Sequence, residues 1–135
     1  MKKPQEYSQY RELMEAILMI EKELLITIDQ TNSENVLYCL NNRAQMLTFT
    51  SKMVEDATFI YETAKGEVAE LIIVDDKLLN VKQGILSKFI EGKMAEHTAL
   101  YARAERCWKM LDKNIQALVS VLSFNKELIK SDIKS

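Results

Sequence analysis

Glycine and proline are scarce in this chain: three Gly and one Pro in 135 residues. That leaves few places for tight turns and little of the glycine-rich backbone that cradles phosphates. Two cysteines, Cys39 and Cys107, are too few for a disulfide scaffold and sit in unlike contexts, so reduced thiols are expected. No sign of charge dominates, with 18 Lys+Arg against 20 Asp+Glu and a net charge of -2. A dedicated nucleic-acid binder usually carries a clear basic excess. Long hydrophobic runs are missing as well. The most apolar stretch begins at Leu13, but Glu15, Glu21, Lys22 and Glu23 interrupt it long before the roughly 20 apolar residues of a spanning helix accumulate. The first seven residues lack the apolar run and cleavage site of a secretory signal. These absences lead to the expectation of one cytoplasmic domain over residues 1–135, with no membrane insertion.

What is present is helical. Apolar residues make up 47% and charged residues 28% of the chain, enough to fold around one core. From Tyr10 the apolar positions run Leu13, Met14, Ile17, Ile20, Leu24 and Ile28, in the steps of three and four that mark a helix. Leu18, Met19, Leu25 and Ile26 broaden the stripe, which predicts a helix over about 5–29, started by Pro4 and covered on more than one side. Thr31 and Glu34 have the spacing of a capping box, so a second helix is predicted over about 32–73. Its seam is Leu40, Leu47, Val54, Tyr61 and Val68 at intervals of seven, with Thr50, Ala57, Ala64 and Leu71 between them. Small residues in that second slot would let a facing helix approach closely. Met46, Phe49, Met53 and Ile60 form a second edge suited to the first helix.

Asp75 or Asp76 can cap a third segment, predicted over about 76–133. Its seam is His97, Tyr101, Ala104, Trp108, Leu111, Ile115, Leu118, Leu122, Asn125 and Ile129. Upstream, Leu79, Leu86 and Ile90 keep the rhythm until it slips by one near Gly92, which marks a candidate break. The fold expectation is therefore all-α: three long antiparallel helices, four if the chain breaks near Gly92, in a bundle with coiled-coil-like seams. A third segment of up to roughly 80 Å outruns its intramolecular partners if it is straight. That implies a homo-oligomer, dimer or higher, or a helical protein partner. The residues expected to carry the contact are Tyr101, Trp108, Leu111, Ile115, Leu118 and Leu122.

Chemistry finds little support. His97 is the only histidine, and the chain has no Glu-x-x-His element of the kind that holds di-iron in helical bundles. Neither cysteine lies near His97 in sequence, so a zinc site lacks ligands and a packed histidine is the simpler reading. Arg103, Arg106 and Lys109 surround Cys107 with positive charge, but no base is identifiable beside it. Glu55–Asp56 are adjacent and point about 100° apart on a helix, a poor catalytic dyad. The expectation is a non-enzymatic structural or adaptor protein with no catalytic, cofactor-binding or metal-ligating residues and no cofactor. The alternative is accessory nucleic-acid binding through the weak basic face of Arg103, Arg106, Lys109 and Lys113. Lys126, Lys130 and Lys134 form a second basic column that favours a helix C-terminus. Asn125 suits either a register-fixing buried amide or an exposed helix-end residue.

Ala102-Arg103-Ala104-Glu105-Arg106, Leu111-Asp112, Ile115-Gln116-Ala117-Leu118 and Leu122-Ser123-Phe124-Asn125-Lys126-Glu127 together resemble the recurrent ending of small helical proteins of prophages and mobile elements. The resemblance spans about residues 95–130. It implies a setting in bacterial mobile DNA and carries no activity or site residue with it.

Overall fold

In the computed structural model 86% of the described residues are helical, and three α-helices account for nearly all of that. The structure describes residues 1–75 and 80–134. A 3-10 turn, Pro4–Glu6, precedes α1 (Tyr10–Leu24), α2 (Ser33–Val74) and α3 (Gln83–Lys134), and no strand occurs among the described residues.

The first helix is shorter at both ends than the apolar spacing predicts. Tyr7 leaves the helical region, with ψ 140°, and drops its ring into the core, so the chain turns before α1 begins. At the other end Leu25 and Ile26 donate to the Lys22 and Glu23 carbonyls in tightened i to i−3 bonds, and the helix stops. The cap of α2 also differs from expectation. Asn32, not Thr31, receives the free N–H groups of Glu34 and Asn35, at 3.1 and 3.2 Å. The Thr31 hydroxyl is already engaged, donating to Asp29 Oδ1 at 2.6 Å in the turn before it.

Asp75 closes α2 instead of opening α3, its N–H reaching the Leu71 carbonyl at 3.1 Å. Asp76 and Leu79 lie outside the described residues. The third helix starts at Gln83, where the Lys82 carbonyl accepts from Ile85 and Leu86. It then runs unbroken through Gly92, which rules out the four-helix alternative. Leu86, Ile90 and Met94 follow one another at steps of four and all face inward, so the slip in the heptad is absorbed as a drift of the buried stripe.

The helices alternate in direction. Glu12 meets Lys52 and Glu23 meets Arg43, which makes α1 antiparallel to α2. Ser33 meets Asn125 and Tyr61 meets Tyr101, which makes α2 antiparallel to α3. The main core lies where all three overlap: Leu13, Ile17 and Ile20 of α1 pack on Met53, Ala57 and Ile60 of α2 and on Leu100, Ala104, Cys107 and Leu111 of α3. Small residues at Ala57, Ala64 and Ala104 bring α2 and α3 together, as the second-slot pattern predicts. Beyond α1 the α2–α3 pair is closed at one end by Val36, Cys39 and Leu118 and at the other by Ala64, Val68 and Met94. On the predicted second edge Met53 and Ile60 are buried, but Phe49 stays exposed.

Candidate helix-docking face

A short helix lying on one side of two long ones leaves their other side open. Val54, seven residues after Leu47 and seven before Tyr61, puts all three on one stripe of α2. On α3 the same spacing aligns Tyr101, Trp108 and Ile115. These stripes flank a groove on the side of α2–α3 away from α1, lined by Thr50, Ser51 and Val54 and by Tyr101, Glu105, Trp108 and Lys109. Tyr61 and Tyr101 stack at one end of it, ring centroids 5.3 Å apart. Leu47, Val54, Tyr101 and Ile115 are half-buried, and Trp108 is 40% exposed despite its place in the seam.

The six seam residues therefore divide. Leu111 and Leu118 are buried inside the chain, in the main core and in the Val36–Cys39 cluster. Leu122 packs half-buried on that second cluster. Tyr101, Trp108 and Ile115 border the open face. Trp108 is the large apolar side chain among them that the chain leaves most uncovered.

The basic set is partly used up. Arg103 forms a fork with Glu21 of α1, Nε to Oε2 at 2.9 Å and Nη2 to Oε1 at 2.5 Å, and this guanidinium holds the Glu21 carboxyl below its ordinary value. Lys109 is paired with Glu105 at 2.5 Å on its own helix. Arg106 and Lys113 are exposed, beside Met110.

Cys107 sits against the Ile17 carbonyl, and burial pushes its thiol up, with Arg103 and Arg106 only partly offsetting this. His97 is buried, and the Lys2 carbonyl accepts from its Nε2 at 2.9 Å. The Tyr7 ring stands edge-on to it, centroids 6.3 Å apart. Tyr7 Oη and His97 Nδ1 are buried without a hydrogen-bond partner. Asn125 is half-buried, its amide donating to the Gln30 carbonyl at 3.1 Å and to Ser33 Oγ at 3.2 Å, so it ties α3 to the start of α2. Beyond it, α3 overhangs α2 and leaves Leu128 and Ile129 exposed. Among the described residues no group of His, Cys, Asp and Glu is arranged to hold a metal ion, and no helix is long and apolar enough to cross a membrane.

Sequence reasoning missed the most constrained polar group. Arg43 is 1% exposed and reaches three helices at once. It donates to Asn114 Oδ1 of α3 and, from Nη2, to the Glu23 carbonyl at 3.2 Å, and it pairs with the Glu23 carboxylate. The signal was legible in retrospect: Arg43 falls four residues after Cys39 and seven after Val36, on the buried stripe. Comparison with protein-family models, curated proteins and solved structures finds no match to this chain.

Proposed function

We propose that the protein acts without catalysis, as a structural or adaptor module that docks a helical partner on the open α2–α3 face. One observation carries this reading: Trp108 stands 40% exposed in an open groove, beside Val54 and Tyr101, that no segment of the described chain crosses. Tryptophan is enriched among the residues that dominate binding energy, because it buries much area at little entropic cost. An exposed apolar stripe between two long helices is the surface an amphipathic helix fits. The resemblance of the C-terminal third adds a setting in bacterial mobile DNA. The nucleic-acid alternative gains no observation in its favour, since Arg103 and Lys109 are already paired with carboxylates.

Photo-crosslinking in cells producing the full chain tests the reading. A photoreactive residue at Ser51, in the groove, is expected to give a covalent protein adduct, and one at Arg11, on the exposed side of α1, is not. Adducts at neither position, or equally at both, would refute docking on this face.

A further inference from the structure

The short arm that precedes α1 is fastened to both long helices. We infer that His97 is a pH-sensitive latch: with its ring neutral it holds residues 2–7 against α2 and α3, and on taking up a proton it lets that arm go. The inference does not depend on the docking reading above.

Lys2 is the fastening point. Its N–H donates to Glu67 Oε2 of α2 at 3.2 Å, and its carbonyl accepts from His97 Nε2 of α3 at 2.9 Å. Its ammonium lies 5.6 Å from the centre of the Tyr7 ring. Pro4 is buried, and Tyr7 belongs to the main core with its ring edge-on to His97. The arm is therefore packed structure, and His97 meets it through both the Lys2 main chain and the Tyr7 side chain.

A carbonyl can only accept, so Nε2 carries the proton of the neutral ring and Nδ1 is a bare lone pair. His97 is 2% exposed, and Nδ1 is buried without a partner. A protonated ring would put a charge and a second N–H at that place, where a donor with no acceptor is costly. The charged and titratable groups around it do not supply one. In the arm and α2, Glu6 and Glu67 are taken up by the N–H groups of Lys3 and Lys2, at 2.9 and 3.2 Å, and neither bonds to the ring. Tyr7 Oη is itself unpartnered, and Lys2 and Lys3 are cations. Tyr10 of α1 is half-buried against the core. Lys65 of α2 and Lys93 and Glu96 of α3 are exposed, and Tyr101 stacks on Tyr61. Once the arm leaves, the ring meets water, where histidine takes its proton near pH 6.5. Closing the arm thus expels a proton, so the closed form is favoured above that ordinary value and lost as the pH falls below it.

Hydrogen exchange of the full chain, read by mass spectrometry at pH 7.5 and 5.0, tests this. The informative peptide covers residues 1–9 and carries the Glu6 and Tyr7 amides, bonded to the Lys3 and Pro4 carbonyls at 3.0 and 3.3 Å. Corrected for intrinsic rate, their exchange is expected to be roughly ten- to thirtyfold faster at the lower pH, the upper figure being the limit for one histidine protonated only in the open form. A peptide around Leu111 should keep its protection at both values. His97→Gln can still donate to the Lys2 carbonyl but does not titrate, so its arm should differ by less than about twofold between the two. A double variant, Glu6→Gln with Glu67→Gln, removes the carboxylates of the arm contacts and should keep the full difference. Three results overturn the latch: no pH difference in the parent protein, the same difference in His97→Gln, or its loss in the double variant. Should His97→Gln leave the arm open at both values, the double variant decides alone.

Discussion

Arg43 and Glu23 face each other inside the bundle, Nε to Oε1 at 3.5 Å, with side-chain exposures of 1% and 10%. The pair does more than neutralise charge. The Arg43 guanidinium also donates to the Glu23 carbonyl at 3.2 Å and lies 3.5 Å from that of Ile26, so it closes the C-terminal end of α1, where the last carbonyls concentrate negative potential. Through Asn114 it joins that end to α3.

Truncating Arg43 leaves the buried Glu23 carboxylate without its cation and the Asn114 amide oxygen without its Arg43 donor. Arg43→Ala is expected to lower the unfolding free energy by about 3–5 kcal/mol, the usual cost of orphaning one member of a buried pair. Glu23→Gln should cost less, because the carbonyl and Asn114 contacts remain. Urea unfolding checks both; an Arg43→Ala variant within about 1 kcal/mol of the parent protein would refute the role.

Leu111 and Trp108 sit three residues apart yet should respond differently. Leu111→Ala opens a cavity in the main core and is expected to cost about 2–5 kcal/mol of folding stability. Trp108→Ala removes a side chain that is already 40% exposed, so about 1 kcal/mol is expected, together with loss of association on light scattering. Leu118→Asp is a poor probe of association, since it puts a charge into the cluster of Val36 and Cys39. An unchanged mass for a self-associating protein bearing Trp108→Ala would count against Trp108 as the anchor.

Glu21 and Arg103 make stability depend on acid. The guanidinium fork holds the Glu21 carboxyl below its ordinary value of 4.5. A carboxyl lowered in the folded state stabilises that state above its ordinary value and stops doing so as the pH falls through the lowered one. Both side chains are more than a third exposed to water, so about 0.5–1 kcal/mol is expected at pH 7. Arg103→Met should show that deficit against the parent protein in urea at pH 7 and almost none near pH 2. A deficit of the same size at both values would mean the contact is packing and not charge.

Cys39 and Cys107 are both buried, and burial raises the thiol of Cys107. Only the thiolate reacts, and only when reached. Aromatic disulfide reagents at pH 7.5 are therefore expected to label neither residue until denaturant unfolds the chain, after which both should react at once. Stoichiometric labelling of Cys107 in the native protein, at the rate of a peptide thiol, would contradict the packing described for Ile17 and Arg103.

The number and type of helices were legible because periodicity is local. Apolar steps of three and four do not depend on what the helix packs against, so the stripes of Leu13–Ile17–Ile20 and Ala104–Leu111–Leu118 could be read directly. Helix ends were less legible, since they depend on rival hydrogen bonds. Thr31 had the right spacing for a cap, but Asp29 held its hydroxyl and Asn32 took the role. The residues around Leu25 looked helical until Arg43, eighteen positions away, met the carbonyls before them.

For the open face, the chain order contained the ingredients and concealed their allocation. Tyr101, Trp108, Leu111, Ile115 and Leu118 follow one heptad rhythm, and nothing local separates those that α1 and α2 cover from those that they leave free. Where α1 lies decides this. Resting on one side of the α2–α3 pair, it helps bury Leu111 and leaves Trp108 on the other. All-helical character and the apolar stripes were settled by residue type and spacing, because each acts within a turn or two of chain. Which side of each seam meets solvent, and that a buried arginine holds three helices together, was settled only by tertiary packing, because it brings together residues twenty to ninety positions apart.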